Sequence, residues 1–219
     1  MSDAASALGL VQRRSILSLL AAPALLTPSA KALAGGQREE ALAESVQRVL
    51  RQAVSTDAPP QVDYEDFATT EDRLAFIRWK MEMSQRLSKR KSELRTVQER
   101  EDFLQTLWWE SKLSRLDLSL VLGLVHVESN FRKYAVSSAG ARGYMQVMPF
   151  WSRQIGDGDP ATLFHMQTNL RFGCVILRHY LDLEQGDLFL ALGRYNGSRG
   201  KPQYPDAVQG ASRNWEFSG

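Results

Sequence analysis

The stretch that decides the fold is Leu116-Asp-Leu-Ser-Leu-Val-Leu-Gly-Leu-Val-His-Val-Glu128, followed directly by Ser129-Asn-Phe131. Nearly all of its side chains are apolar, which indicates a buried helix with one carboxyl group at its C-terminal end. Burial disfavours the ionised form of a carboxyl and raises its pKa, and the partial negative charge at a helix C-terminus acts in the same direction. Glu128 is therefore a candidate for an acid that keeps its proton near neutral pH and donates it to a leaving group. The alternative is a solvated glutamate at a helix end.

A glycine-containing loop follows this helix. Ser137 lies nine positions after Glu128 and precedes the run Gly140-Ala-Arg-Gly-Tyr-Met-Gln-Val-Met-Pro149. The two glycines permit positive φ or a close approach of the main chain, and the closing proline suits the first turn of the next helix. Met145 and Gln146 could present backbone groups and an amide to a polar ligand. An ordinary corner between two helices would leave the same glycine pattern.

Taken together, these motifs resemble the catalytic domain of the soluble lytic transglycosylases, the lysozyme-like enzymes that cleave the glycan strands of bacterial peptidoglycan. Matching segments follow in the same order, namely Asp159-Pro160, Asn169-Leu170-x-x-Gly173, Tyr180-Leu181, the run from Ala191 to Gly197, and Tyr204-Pro205 with Val208. The resemblance covers residues 93 to 219. It departs at Tyr144, where the family often has Leu, and at Gly197-Ser198, where the family often has Ala-Gly. Neither departure touches the acid.

The resemblance implies a mechanism with a single carboxyl group and no metal or organic cofactor. In the family, the acid protonates the β-1,4 glycosidic oxygen between N-acetylmuramic acid and N-acetylglucosamine. It then acts as base while the muramic C6 hydroxyl attacks C1 and closes a 1,6-anhydro ring. Most glycosidases use two carboxylates. The other acids near the motifs lie at helix ends or turns, where capping is the simpler explanation, and they are Asp157, Asp159, Asp182 and Glu184.

Carried onto matching positions, the resemblance implies site roles for six residues. Glu128 would act as acid and then as base. Ser137 would form hydrogen bonds near Glu128 and the substrate N-acetyl group, and Met145 and Gln146 would contact the sugar through backbone and amide. Tyr195 would lie against the muramic sugar, with Asn196 supporting that turn. For Tyr195 the competing interpretation is core packing, because Phe189, Leu192 and Tyr195 share a helical stripe.

The excess positive charge lies at the N-terminus. Residues 1–32 hold Arg13, Arg14 and Lys31 against Asp3, which accounts for the formal net charge of +2 and leaves the remaining chain neutral. A nucleic-acid-binding protein would be expected to carry a clustered basic surface, so this class is disfavoured. The arginine pair, the apolar stretch to Leu26 and the small residues that follow are typical of an export signal. The stretch is too short to span a bilayer.

We therefore expect residues 1–32 to direct export and the protein to be periplasmic, without a stable membrane anchor. The arginine pair resembles a twin-arginine signal, and an ordinary secretory signal is the alternative. The sequence holds one cysteine, Cys174, within an apolar run. We expect it to be a small buried hydrophobic residue, not a reactive thiol. His126, His165 and His179 lack metal-ligand spacing, so we predict no metal site.

Apolar periodicity predicts helices in the rest of the chain. Leu42, Val46, Leu50 and Val54 form a stripe over residues 39–54, and a proline-containing linker follows at 55–70. A second stripe begins after Glu71 and consists of Leu74, Ile77, Met81, Leu87 and Leu94. No strand-like alternation of useful length occurs. We predict an all-α chain, with a helical extension and linker at 33–92 and a lysozyme-like helical catalytic domain at 93–219. The extension could be a docking surface, a brace or a spacer.

The function predicted from the sequence is that of a peptidoglycan lytic transglycosylase acting on glycan strands. A lysozyme-like hydrolase, which would use water in place of the C6 hydroxyl, is the close alternative. An inactive glycan-binding or secretion-scaffold protein is the alternative from another class. The intact acid at Glu128 and the complete loop that ends at Pro149 weigh against an inactive protein.

Overall fold

The computed structural model describes residues 37–55 and 67–218. Over these ranges the chain forms eight α-helices, which are α1 (Glu44–Val54), α2 (Thr70–Ser88), α3 (Val97–Leu113), α4 (Leu118–Ser129), α5 (Pro149–Ile155), α6 (Met166–Leu183), α7 (Leu188–Asn196) and α8 (Gln203–Ser212). Two 3₁₀ turns, Pro160–Phe164 and Arg213–Trp215, precede α6 and follow α8. Strand-like pairing within the described ranges is limited to two isolated bridges in the loop between α4 and α5. The predicted all-α class is confirmed.

Side-chain caps set where several helices begin. The Asp117 carboxylate accepts the backbone N–H of Leu120 at 2.9 Å and starts α4. Thr96 and Glu99 form a reciprocal capping box at the start of α3. Each cap satisfies backbone N–H groups that have no partner within the helix. The apolar helix α4 therefore begins at the residue after the aspartate.

The centre of the molecule is α4, whose middle residues Val121, Leu122, Leu124 and Val125 are fully buried. It packs against α8, α3 and the 3₁₀ turn Arg213–Trp215. Gly123 allows the close approach of α4 and α8, because a Cβ there would lie 2.7 Å from the Ser212 backbone. The helix that carries Glu128 is thus enclosed on most sides by the fold.

A buried ion pair joins α3 to α6. Arg171 donates two hydrogen bonds to the Glu110 carboxylate, at 2.9 and 3.1 Å. Burial raises the pKa of Glu110, and the Arg171 guanidinium opposes that shift. Bidentate geometry offsets part of the cost of burying both charges and fixes the relative position of the two helices. Cys174, on the same helix α6, is buried and unpaired, as predicted.

The first helix of the extension lies across the later helices. The predicted stripe of α1 is confirmed, since Leu50 is buried and Leu42, Val46 and Val54 pack partly buried against the core. The helix itself begins at Glu44, so residues before it that we expected to be helical are not. α1 packs on α5 and α6.

The predicted stripe of α2 was wrong in part. Its apolar residues Leu74 and Met81 are 44% and 65% exposed. The aromatic residues Phe76 and Trp79 point inward instead, and the Phe76 ring packs 4.9 Å from that of Trp108 on α3. Aromatic side chains bury more apolar area than leucine or methionine, so they decide which face of a helix turns to the core.

Two sequence-based predictions fall on residues outside the described ranges. These are the export signal at 1–32 and most of the linker, residues 56–66. Among the described helices, none combines the length and the apolar character needed to cross a membrane.

Candidate active site

Glu128 lies in the last turn of α4 and is only 3% exposed. Its Oε1 accepts a hydrogen bond from the Tyr204 hydroxyl at 2.5 Å. Its Oε2 is buried and has no hydrogen-bond partner among the described residues. Burial raises the pKa of Glu128 to about 8, and the bond from Tyr204 acts in the opposite direction. The carboxyl therefore holds its proton at neutral pH.

Tyr204 reaches Glu128 from the first turn of α8 and is itself buried. Burial raises the pKa of the Tyr204 hydroxyl well above its ordinary value, and the nearby Glu128 charge adds to the effect. The hydroxyl thus stays protonated and remains a hydrogen-bond donor. A donor fixed on a carboxyl favours its ionised form, so Tyr204 limits how far burial raises the pKa of Glu128.

A sharp corner follows Glu128. Asn130 and Phe131 both adopt left-handed backbone conformations, with φ of 51° for Asn130 and 61° for Phe131. Asn often takes this conformation at a helix C-terminus, but for Phe it is strained. The chain therefore turns away from α4 immediately after the acid, and the buried Phe131 ring anchors the turn.

The loop between α4 and α5 is held against α6 by one asparagine. Asn169 Oδ1 accepts the backbone N–H of Met145 at 2.8 Å, and its Nδ2 donates to the carbonyls of Arg142 and Leu163, each at 2.8 Å. Gly143 has φ of +74°, and a Cβ there would lie 2.3 Å from Asn169 Nδ2. Only glycine fits both the conformation and the space.

Met145, Gln146 and Tyr195 come together in this loop. The backbone of Gln146 has a positive φ of 48°, and its side chain is buried. Its Nε2 donates to the carbonyls of Ala135 at 3.1 Å and Gly143 at 2.9 Å. The Tyr195 hydroxyl donates to the Met145 carbonyl at 2.8 Å. Tyr195 is fully buried, which fits the competing interpretation of its ring as part of the core. Its hydroxyl nevertheless fixes the backbone of the loop.

Ser137 and Asn196 adjoin these residues in the chain, Ser137 within the loop and Asn196 directly after Tyr195. The Ser137 hydroxyl is half-buried and accepts the backbone N–H of Ala141 at 3.1 Å, within its own loop. Asn196 is the last residue of α7, and Gly197 follows it with φ of 77° as a left-handed cap. Both residues are partly accessible from solvent, which a substrate contact requires.

The electrostatic interactions tie Glu128 to both tyrosines. The Glu128 charge contributes to the raised pKa of Tyr195 on α7 and of Tyr204 on α8. Burial is the larger cause in each case. The structure thus assembles an acid and two neutral phenols from three helices, with the Met145 carbonyl beside them.

The alternative acids near the motifs have structural roles. Asp159 accepts the backbone N–H of Ala161 at 2.8 Å and caps a 3₁₀ turn, and Asp157 accepts the N–H of Asp159 at 3.0 Å. Asp182 pairs with Arg178 at 2.6 Å. Hydrogen bonds from Arg199 and Arg194 lower the pKa of Glu184 to about 2. None of these four is buried as Glu128 is, since Asp157, Asp159 and Asp182 are exposed and Glu184 is half-buried.

Sequence reasoning missed three residues of the site. Tyr204 and Asn169 were noted only as parts of family segments, and Gln37 was not noted. The Gln37 carboxamide is buried and accepts hydrogen bonds from the Trp151 indole N–H at 2.9 Å and the Met148 backbone N–H at 3.4 Å. No local pattern marks any of the three, because each contact joins residues distant in sequence.

Within 37–55 and 67–218, no group of three or more His, Cys, Asp or Glu side chains could hold a metal ion.

Comparison with known families decides the relationship. Residues 109–217 match the family model of the transglycosylase SLT domain, and this range includes Glu128, the loop, Tyr195 and Tyr204. The chain belongs to the soluble lytic transglycosylase family. The six predicted site residues of this family member all lie within the matched range.

Several relatives share parts of this domain. A transglycosylase of Enterobacteria phage PRD1 is 35% identical over 95 residues, covering 41% of this chain and 34% of the phage protein. Membrane-bound lytic murein transglycosylase C of Glaesserella parasuis is 56% identical over 39 residues, 18% of this chain and 11% of that protein. Its counterpart in Actinobacillus pleuropneumoniae is 40% identical over 70 residues, 28% and 19% of the two chains. The chain thus spans about a third or less of these relatives.

A solved structure was also compared with this family member. The 70 kDa soluble lytic transglycosylase of Escherichia coli aligns with 78% of this chain and 38% of its own. The sequence identity is 16% and the TM-score is 0.35.

Proposed function

We propose that this chain is a peptidoglycan lytic transglycosylase. It cleaves the β-1,4 bond between N-acetylmuramic acid and N-acetylglucosamine without water and leaves 1,6-anhydro-muramic ends. The observation that carries the proposal is the buried Glu128, whose pKa is raised to about 8 and which therefore stands ready as an acid at neutral pH. Membership of the family and relatives named as murein transglycosylases support the substrate class.

The reaction would need only one carboxyl group. Glu128 donates its proton to the glycosidic oxygen as the bond from that oxygen to the muramic C1 breaks. The muramic C6 hydroxyl then attacks C1, and its proton returns to Glu128, which closes the anhydro ring. Water is not consumed, and the acid ends in its starting state. A second carboxylate, such as most glycosidases use, has no step to perform.

Tyr204 would assist the second half of the reaction. When Glu128 has given up its proton, the carboxylate is buried and needs a donor, because an ionised group without hydrogen bonds is costly in a low-dielectric site. The Tyr204 hydroxyl, 2.5 Å from Oε1, supplies it. Oε2 is left without a partner among the described residues, so it is the oxygen we assign to proton transfer.

The loop residues would hold the sugar. We assign the substrate N-acetyl group to Ser137 and the loop backbone at Met145, with Gln146 shaping the loop through its two carbonyl contacts. Tyr195 would contribute indirectly, because the hydrogen bond from its hydroxyl fixes the Met145 carbonyl in the loop. Asn196 would support the turn after α7. We further propose that residues 1–32 direct the protein to the periplasm, where its glycan substrate lies.

The decisive experiment is mass spectrometry of the fragments that the purified protein releases from peptidoglycan. A lytic transglycosylase yields muropeptides that weigh one water less than those with reducing ends. Glu128→Gln should stay folded and release fragments roughly 10²–10⁴-fold more slowly. Reducing ends would instead identify a hydrolase. A parent protein without cleavage, or a Glu128→Gln variant as active as the parent, would refute the proposal.

A further inference from the structure

The strained corner after Glu128 is enclosed by aromatic rings from distant parts of the chain. The Phe131 ring lies 5.1 Å from Trp215, 5.8 Å from Phe103 and 6.0 Å from the His126 ring, measured between centroids. A bulky residue with positive φ persists only when its surroundings hold it there. The packing of Phe131 therefore holds the backbone of the corner, three residues after Glu128.

Trp215 is held from both sides by the end of α2. The Arg86 guanidinium donates to the carbonyls of Asn214 at 2.7 Å and Glu216 at 2.9 Å, the two residues that flank the tryptophan. Two charge-assisted hydrogen bonds fix the backbone around one ring. The C-terminal 3₁₀ turn is thus attached to the extension by this arginine.

Arg90 connects the tryptophan to the helix that carries the acid. Its guanidinium lies 4.9 Å from the centre of the Trp215 ring, a cation–π contact. One of its nitrogens lies 2.6 Å from His126 Nε2, two residues before Glu128. Because arginine only donates, this imidazole nitrogen accepts and the ring is neutral. Arg90 therefore contacts two of the three rings that surround Phe131.

Neither arginine belongs to the matched domain. Both lie before residue 109, where the family match begins. A third side chain from before residue 109 also contacts the chain near the corner. The Glu93 carboxylate accepts the backbone N–H of Lys133, two residues after Phe131, at 2.8 Å. Three side chains between residues 86 and 93 thus contact the segments that surround the end of α4.

We propose that Arg90, supported by Arg86, is a positioning residue for Glu128: the two guanidinium groups clamp Trp215 and His126 around Phe131 and so hold the corner that keeps the carboxyl buried. The extension is then a brace on the catalytic centre. The proposal rests on the proposed function for its catalytic consequence, but the position and burial of the carboxyl can be measured without any activity.

Loosening the clamp would admit water to Glu128. The groups that face the carboxyl from α7 and α8 are Tyr195 and Tyr204, whose hydroxyls stay protonated because burial and the carboxylate raise the pKa of both. No described charge therefore replaces burial as the main cause of the high pKa of Glu128. Solvation would return that pKa toward its ordinary range.

The test compares Arg90→Met with the parent enzyme. Arg90→Met keeps an unbranched apolar stem but removes the guanidinium with its charge and its donors. The alkaline limb of the pH–rate profile, where the acid ionises, should move down by about one pH unit or more, and kcat should fall roughly tenfold with KM within about twofold. Arg90→Lys keeps the charge but lacks the planar group that stacks on Trp215. It should restore part of the alkaline pKa and part of kcat. Lys91→Met, an exposed neighbour, is the matched control and should match the parent.

A second measurement is independent of cleavage. Carbon-13 NMR of protein labelled at glutamate carboxyls gives the pKa of Glu128, with Glu128→Gln identifying the signal. A lowered pKa in folded Arg90→Met supports the brace even if the parent proves inactive. If Arg90→Met fails to fold, Trp215→Phe takes its place and should show a smaller shift in the same direction. A folded variant whose Glu128 pKa and alkaline limb equal those of the parent overturns the proposal.

Discussion

Glu128→Gln should be more stable than the parent protein, by a free-energy difference that grows as the pH rises. The pKa of this buried carboxyl is raised from 4.5 to about 8 in the folded protein. The folded state therefore binds the proton more tightly than the unfolded state does. Stability that is fully present below pH 4.5 is lost progressively as the pH rises through about 8. Glutamine is neutral throughout and similar in shape, so Glu128→Gln lacks this loss.

The size of the effect follows from the two pKa values. One pH unit of difference corresponds to about 1.4 kcal/mol, so the full raise from 4.5 to about 8 corresponds to about 5 kcal/mol above pH 8. At pH 7 most of the folded protein still holds the proton while the unfolded chain has lost it, and the loss is about 3 kcal/mol. Typical domains have about 5–15 kcal/mol of stability, so the difference is readily measurable.

Urea denaturation of parent and variant at a series of pH values between 4 and 9 measures the difference in unfolding free energy. Because other titrating groups are shared, their contributions cancel in the difference. Glu44→Gln, which removes an exposed carboxyl on α1, is the matched control because it makes the same chemical change without burial. A flat difference for Glu128→Gln would mean that the carboxyl ionises as it does in solvent. The basis for its role as an acid would then be lost.

Three further predictions concern the surroundings of the acid. Tyr204→Phe removes the donor that lowers the pKa of Glu128, so the alkaline limb of the pH–rate profile should move upward while kcat falls roughly 10- to 100-fold; an unchanged profile would contradict this. Asn169→Ala removes three hydrogen bonds that hold the loop and should lower the unfolding free energy by about 2–4 kcal/mol, measured by urea denaturation. Gly143→Ala should destabilise the protein more than Gly140→Ala, by about 2 kcal/mol or more in thermal unfolding. Both glycines have positive φ, but only at Gly143 would a Cβ overlap its neighbours; equal losses would show that overlap plays no part.

Local patterns were sufficient for much of the fold and for the burial of Glu128. The apolar run before Glu128 predicted a buried helix and a protonated carboxyl, and both follow from composition within a dozen residues. Loop glycines predicted an unusual backbone, and Gly143 has it. Helix periodicity is a short-range property, so a single sequence can reveal which segments are helical and which ends carry polar groups.

The partners of those residues could not be predicted in the same way. In α2 the predicted stripe was wrong in part, because its aromatic residues pack against α3. The sequence of α2 alone carries no information about that contact. Tyr204 is 76 positions from Glu128, and Asn169 is 24 positions from Met145. No spacing rule connects such pairs, since the intervening chain can bring together any two helices that pack.

The sequence by itself thus determined the all-helical class, the apolar helix that ends in Glu128 and the glycine loop that follows it. Only the tertiary structure decided which hydroxyl contacts the carboxyl and which asparagine holds the loop. It also decided that two arginines of the extension reach the corner behind the acid. The physical reason is that the periodicity of apolar residues within a segment indicates which face of it is buried. Hydrogen bonds and ring contacts between segments depend instead on how whole helices pack.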